Sequence, residues 1–278
     1  QSLDPIAAED SLVPLSEAAD LDLYPLAEGM LDVAVESIAA AIREISIERG
    51  RDVRDAALCA FGGAGGQVAC RVADRLGMDS IIVPVRAGVL SAQGIAHASE
   101  SAVRRMTVEQ PVDTSESLNC LIDRLASEAS DALGGDGQCT RRVSAAIRAE
   151  GWDQSIQVPW DAAAAMKGAF TSACQNRFGF VPRGDLVIAS LEVEVQHPQP
   201  MRTHARVEEV MGEVSTSRMY SGGIWTDVPV MRGIFGSVNG PVILLQDGAT
   251  TVVEAGWKAE SDPVSGRVML CRATPRMR

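Results

Sequence analysis

The stretch that decides the fold is a short apolar run that ends in a row of small residues. It reads Leu58-Cys59-Ala60-Phe61-Gly62-Gly63-Ala64-Gly65-Gly66, and Ala56 and Ala57 precede it. A run of four to eight apolar residues bounded by turn residues is typical of a buried strand. Because glycine has no side chain to obstruct a sharp bend, the strand is predicted to end in a turn at Gly62.

The sequence on either side of this run predicts an α/β unit. Before it, apolar residues recur at steps of three and four, as on one face of a helix: Leu31, Val35, Ile38, Ile42 and Ile45. Gly50 follows this helix at the place of a C-cap glycine. After the glycines, a second helix is predicted over about 67–76, closed by Gly77, and a second buried strand over 80–85. Helix, strand, turn, helix and strand in this order indicate a parallel sheet.

The sequence before this unit predicts an irregular segment. Residues 1–27 hold three prolines among acidic and small residues, which predicts an irregular lead-in, the tail of a preceding domain. The chain begins with Gln1 rather than Met, so we expect the native start to be missing.

The composition changes after Met106, so residues 28–106 and 107–278 are predicted to be separate domains. Residues 107–278 show helical periodicity over 118–133, strands within 141–158, a helix from about Asp161 to Arg177, and a period-two strand over 186–195. Glycines and β-branched residues over 209–272 predict short strands. This region is therefore predicted to be an α+β domain.

Composition narrows the possible partners. The 278 residues are 46% hydrophobic and carry a net charge of −12, with a pI of about 4.8. A field of that sign repels phosphate backbones and anionic lipid surfaces, which argues against nucleic acid and membranes as partners. The longest apolar stretches are too short to cross a bilayer, and no stretch of the given residues has the pattern expected of a secretory signal.

Cysteine and histidine give no sign of a metal centre. The six cysteines, at 59, 70, 120, 139, 174 and 271, form no CxxC pair, and none of the three histidines (97, 197 and 204) lies at ligand spacing from them. We therefore predict no metal site and expect the cysteines to be small buried side chains in a reducing cytosol. Ser91 and His97 are not accompanied by the GxSxG segment of a hydrolase nucleophile. Glu192 and Glu194 lie at strand spacing on a predicted solvent-facing side, which argues against an acid/base pair. The catalytic residues therefore stay unknown.

The glycine row itself has two interpretations on spacing alone. It is neither GxGxxG nor GxxxxGK[ST], so it is either a tight turn from strand to helix or a loop whose backbone contacts a ligand. A helix that begins at such a turn offers unpaired N–H groups and a positive potential to that ligand.

Several motifs in the same order resemble the A-subunit of the hydantoinase/5-oxoprolinase family. The resemblance is collinear over about residues 30–257, as far as the Trp257 that closes the last motif. The segments that carry it are Ala41–Gly50, Ala60–Gly65, Val83-Pro84, Gly88–Gly94, Trp225–Val230, Gly240-Pro241 and Thr250–Trp257.

The resemblance implies a fold and a cofactor. It implies part of an actin-like, sugar-kinase-like (ASKHA) ATPase domain over residues 28–106, followed by the family's C-terminal α+β domain. In that superfamily the glycine-rich turn lies beside the nucleoside of ATP. This implies an ATP contact at Gly62, Gly63, Ala64, Gly65, Gly66 and Gln67, with Mg and the phosphates held mainly by residues outside this chain.

The resemblance also implies an activity and a partner. It implies a fragment of an ATP-dependent hydrolase of cyclic amides, such as hydantoins or 5-oxoproline, that packs against a hydantoinase B-like subunit or half in the cytoplasm. Two alternatives use the same architecture: a non-catalytic assembly domain and a subunit of an ATP-dependent ketone carboxylase.

The sequence departs from the family at four positions. The family's Pro-x-His after the glycines is replaced by Gly66, Gln67 and Val68. Trp152 stands within a segment where the family has Tyr, Gly, Gln and Glu, and Cys174 stands near the place of a family histidine. Polar groups that could act on a substrate have been lost, which makes this a divergent member.

Overall fold

The computed structural model describes residues 4–134, 138–198, 213–233 and 235–274. Its helices are α1 (Pro5–Ala19), α2 (Leu23–Glu48), α3 (Gly65–Leu76), α4 (Leu90–His97), α5 (Asn119–Ala132) and α6 (Ala163–Phe178). Its strands are β1 (Leu58–Cys59), β2 (Ser80–Val83), β3 (Ser101–Pro111), β4 (Thr140–Ala149), β5 (Ile156–Pro159), β6 (Leu186–Gln196), β7 (Glu213–Ser221), β8 (Ile224–Arg232), β9 (Ser237–Asn239), β10 (Val242–Gln246), β11 (Ala249–Val253), β12 (Trp257–Ser261) and β13 (Val268–Arg272).

The chain forms two compact units. Unit 1 comprises Gln1–Ser46, Asp52–Gln93 and His204–Arg278, and unit 2 comprises Ile47–Arg51 and Gly94–Thr203. The mixture of helices and sheets confirms the predicted α/β class. No described helix combines the length and the apolar character that a membrane span requires.

Unit 1 contains two sheets. The first has the order β1-β2-β13-β12-β9, in which β1 and β2 are parallel and the other pairs are antiparallel. The second has the order β11-β10-β8-β7, and α3 packs against β11. One core of buried residues joins α2 and α3 to both sheets, with Trp257, Ile81 and Leu270 among its largest members.

Helix α2 buries only part of its predicted apolar face. Val35 and Ala39 are fully buried and Ile42 packs against the core, whereas Leu31, Ile38 and Ile45 are exposed. The helix ends as predicted, because Gly50 follows it with a positive φ of 61°. A Cβ at Gly50 would overlap Asn176 O, so glycine is also required by close packing within unit 2.

Unit 2 contains one antiparallel sheet with the order β3-β6-β4-β5. Helices α5 and α6 provide most of the apolar side chains that cover it, including Leu125 and Phe170. The helices predicted over 118–133 and 161–177 and the strand predicted over 186–195 correspond to α5, α6 and β6.

Two features differ from the expected organisation. The lead-in is helical: the Asp4 side chain accepts the N–H groups of Ile6 and Ala7 at the start of α1, where Pro5 fits because the first helical N–H needs no partner. The strands after residue 212 join unit 1 rather than a separate domain, because β13 pairs with both β2 and β12. The first unit is therefore built from both ends of the chain.

Candidate functional site

The glycine row forms a bend at the carboxyl ends of two parallel strands. Leu58 and Cys59 of β1 lie opposite Ile81 and Ile82 of β2, and the Ala60 N–H donates to Ile82 O at 2.9 Å. The chain then turns at Gly62, where φ is 84° and the N–H donates to Ala87 O at 2.7 Å. Ligands of open α/β sheets bind beyond the carboxyl ends of the strands. The bend thus occupies the usual place for a ligand.

The outer side of the bend is open. A Cβ built on Gly62 meets no heavy atom within 4 Å, and one built on Gly63 meets only Gly248 O at 3.8 Å. Gly63, Ala64 and Gln67 are exposed. Main-chain atoms of the bend are therefore accessible to a ligand.

The inner side of the bend is closed by the hairpin of β10 and β11. A Cβ on Gly66 would lie 2.5 Å from Thr251 Oγ1 and 2.7 Å from Thr250 O, and a Cβ on Gly88 would overlap Gly248 O. These distances are shorter than packed carbon atoms allow, so glycine is needed at both positions for the hairpin to lie this close.

Helix α3 begins inside the bend. Its first residue is Gly65, two residues before the predicted start, and its N-cap Ala64 has no side chain that could cap it. The Gln67 N–H donates to Ala64 O at 3.0 Å. The first N–H groups of a helix carry a positive potential, which favours anionic or electron-rich ligand atoms here.

An ionic cluster holds α3 against its neighbours. Arg71 of α3 contacts Glu254 after β11 at 2.9 Å and Glu28 of α2 at 3.0 Å, and its side chain is 16% exposed. Glu28 also accepts the N–H groups of Gly222 and Gly223 between β7 and β8, at 2.8 and 3.2 Å. Burial acts to raise the pKa of Glu28, but these N–H groups and Arg71 outweigh it, so the pKa is lowered from its usual value.

The positions at which the sequence departs from the pattern that the resemblance implies are largely core positions. Val68 packs against the core of unit 1, and Cys174 is fully buried in the core of unit 2. Trp152 lies edge-on to Phe178 and Phe180, with ring centroids 5.7 and 5.6 Å away. Apolar packing has taken the place of the polar groups expected from the resemblance.

Other sequence candidates do not form a site. Glu192 pairs with Arg105 and Glu194 with Arg142, which agrees with a solvent-facing side of the sheet. Within the ranges that the structure describes, no group of three or more His, Cys, Asp or Glu side chains could hold a metal ion. His204 lies outside the described residues.

The six predicted contact residues, 62–67, lie together in the bend and the first turn of α3. Spacing around the bend did not indicate its long-range neighbours Ala87, Gly248 and Thr251. A signal for two of them was present, because Thr251 belongs to the Thr250–Trp257 motif and Ala87 immediately precedes the Gly88–Gly94 motif. The structure thus brings three separate motifs to one place.

Comparison with known proteins identifies relatives over most of the chain. Residues 1–104 match the family model described as Hydantoinase/oxoprolinase. The chain is 28% identical to 5-oxoprolinase 1 of Arabidopsis thaliana, over 87% of this chain and 21% of that protein. It is 26% identical to 5-oxoprolinase of Dictyostelium discoideum, over 87% of this chain and 20% of that protein. The chain thus spans about a fifth of the length of these relatives.

Two solved structures share the fold. ATP-dependent caprolactamase from Pseudomonas jessenii superposes with a TM-score of 0.80 at 24% identity, over 98% of this chain and 43% of that one. A nucleotide-free acetone carboxylase superposes with a TM-score of 0.66 at 17% identity, over the same shares of the two chains. The curated caprolactamase sequence is named a subunit alpha and is 24% identical over 90% of this chain and 40% of that protein.

Proposed function

We propose that this chain is a divergent member of the hydantoinase/oxoprolinase family and that the protein acts in the ATP-dependent opening of a cyclic amide. The observation that carries the proposal is the convergence of three family-like motifs on an open glycine bend beyond two parallel strands. The substrate class is a hydantoin, 5-oxoproline or a larger lactam. Relatives named 5-oxoprolinase and caprolactamase support this range.

In this proposal the bend contributes the nucleoside side of an ATP site. Residues 62–67 supply backbone surface that no side chain covers at Gly62 and Gly63, against which a flat base or a ribose can lie. Gly66 and Gly88 hold the β10–β11 hairpin close behind that surface, and this contact keeps the bend in position.

ATP, when bound, would supply a phosphoryl group for the amide oxygen and so make the ring carbon electrophilic towards water. The residues of this chain orient the nucleoside in that step. Mg and the phosphates would be held by residues other than the bend, and a B-type subunit or half would complete the assembly in the cytoplasm. The naming of the related caprolactamase as a subunit alpha supports such a partner.

Substitution of Gly63 tests the assignment of the bend. The protein, together with its B-type partner, is titrated with Mg·ATP, and ATP turnover is measured with 5-oxoproline, hydantoin or caprolactam. A carboxylate at Gly63→Asp would enter the open surface, and we expect ATP affinity to fall by at least about tenfold, or about 1.4 kcal/mol.

Gly168→Asp is the matched control. Gly168 lies on the exposed face of α6, and a Cβ there meets nothing within 4 Å, so nucleotide affinity is expected to stay unchanged. Equal ATP affinities of the Gly63→Asp variant and the unsubstituted protein would refute the role of the bend. ATP turnover that requires bicarbonate instead of a cyclic amide would move the assignment to a carboxylase.

The apolar replacements favour a second candidate function, a non-catalytic assembly domain. Val68 and Cys174 lie in cores where the resemblance leads one to expect histidines. A stable complex with the B-type partner, formed without any amide-dependent ATP turnover, would support this function. Turnover that depends on a cyclic amide would exclude it.

A further inference from the structure

Unit 2 contains a thiol and an imidazole that the proposed function does not use. Cys139 Sγ, just before β4, lies 3.7 Å from Nδ1 of His197, just after β6. Both side chains are half-buried, so neither is sealed in a core. All six cysteines were expected to be small buried side chains. This is correct for Cys70 and Cys174 and wrong for the half-buried Cys139 and for the three exposed cysteines at 59, 120 and 271.

The hydrogen bonds of His197 make its ring a base for this thiol. Nε2 lies 3.3 Å from Leu133 O, which can only accept, so Nε2 carries the proton and Nδ1 is left as an acceptor. The His197 backbone N–H donates to Glu100 O at 3.0 Å and fixes the residue in place. A nucleophile, a base within reach, and a third group that orients the base form the arrangement that activates a thiol.

The remaining cysteines differ from Cys139 in their surroundings. Burial raises the pKa of the Cys70 thiol to about 12, and burial also raises the pKa of Cys174. Both are held as neutral thiols, which are poor nucleophiles. Cys59, Cys120 and Cys271 are exposed and can also react with a disulfide, so the reaction rate of Cys139 has to be measured without them.

We propose that Cys139 is a reactive thiol, activated by His197, that undergoes exchange with small disulfides. Sγ attacks one sulfur of the disulfide, a new S–S bond forms, and the original S–S bond breaks. The thiol proton passes to Nδ1 and from there to the departing sulfur, which leaves as a second thiol. The product is a mixed disulfide at Cys139, and the step needs no other oxidant.

Glutathione disulfide is the probe that tests this site. The background is a variant in which the three exposed cysteines are replaced, Cys59→Ser, Cys120→Ser and Cys271→Ser, so that Cys70, Cys139 and Cys174 remain. Under native conditions near pH 7, peptide mass spectrometry is expected to find the mixed disulfide at Cys139 and not at the two buried cysteines.

His197→Gln in this background separates activation from packing. The amide can still donate to Leu133 O but cannot take up the thiol proton. The rate of disulfide exchange at Cys139 should therefore fall at least about tenfold, which is less than the full contribution of a positioned general base. A variant that merely loosened the fold would expose the thiol and react faster. His97→Gln, the same change at another histidine, should leave the rate unchanged.

Two results would overturn the proposal. One is the absence of an adduct at Cys139 under conditions in which exposed cysteines of the unsubstituted protein react. The other is a rate at Cys139 that is equal or higher in the His197→Gln variant. Neither result bears on nucleotide binding, so this inference stands or falls independently of the proposed function.

Discussion

Gly66 and Gly65 are neighbours in sequence, yet they face different surroundings. Gly66 is buried against β11, where an added Cβ would lie 2.7 Å from Thr250 O, a backbone atom that cannot rotate away. Gly65 has only ordinary contact, with the nearest atom, Ala60 C, at 3.9 Å. Any residue with a Cβ at this position, proline included, would not fit against the hairpin at this distance.

We expect Gly66→Ala to lower the free energy of unfolding by about 1–3 kcal/mol, the usual effect of overpacking. Gly65→Ala, at the first position of α3, should change it by less than about 0.5 kcal/mol or raise it, because alanine favours the helix. Urea denaturation of the two variants measures the difference. Equal stabilities would show that α3 and β11 are not in the close contact described.

At the scale of elements, Arg71 joins α3 to Glu28 of α2, to Ser221 at the end of β7, and to Glu254 just after β11. Its partners Glu28 and Glu254 are 19% and 15% exposed at the side chain, so neither is well solvated without the guanidinium. We expect Arg71→Met to destabilise the protein by about 3 kcal/mol, the lower end of the cost of breaking a buried pair.

Arg75→Met is the control, because Arg75 is half exposed and its carboxylate partners lie 3.8 and 3.9 Å away. Its effect should stay within about 1 kcal/mol. Thermal and urea unfolding of both variants test the comparison. If Arg71→Met lowers the free energy of unfolding no more than Arg75→Met does, the cluster does not hold these elements together.

The same cluster makes the stability of the protein fall as the pH becomes acidic. The pKa of Glu28 is lower in the folded state than in the unfolded state, where it is about 4.3, so folding favours its carboxylate. That contribution is present at neutral pH and is lost as the pH falls through the folded pKa. We expect Glu28→Gln to be less stable than the unsubstituted protein at about pH 7, with a shallower loss of stability between about pH 5 and pH 3. Parallel pH profiles of the two proteins would contradict this.

At the scale of the whole molecule, the last strand of the chain lies inside the first unit. β13 separates β2 from β12, and its residues Val268 and Leu270 are buried. Truncation after Asp262 removes β13, so we expect hydrogen exchange in β2 and α3 to become faster by about two orders of magnitude or more. Strands β4 and β6 should keep their protection, because unit 2 has a core of its own.

Truncation after Thr274 is the matched control, since it leaves β13 in place. Exchange in β2 and α3 should then match that of the unsubstituted protein. Slow exchange in β2 after the longer truncation would show that the first sheet does not depend on the C-terminal strand.

Local signals in the sequence were sufficient for many elements and for the position of the bend. Gly50 and Gly77 mark helix ends because both take a positive φ, which glycine adopts without strain, and the period-two pattern over 186–195 follows from the alternation of side chains in β6. The apolar run before Gly62 likewise predicted a strand followed by a turn, and the collinear motifs indicated the family. These features depend on neighbouring residues alone.

Other features were decided only by tertiary structure. Leu31, Val35 and Ile38 have equivalent places in the helical pattern of α2, but only Val35 is fully buried, because burial depends on which elements pack against the helix. The pairing of β13 with β2 and the contact of Thr251 with Gly66 join residues more than 180 positions apart. The pairing of Cys139 with His197 joins the ends of two neighbouring strands. Spacing along a chain carries no information on such contacts, since they arise from strand order and packing.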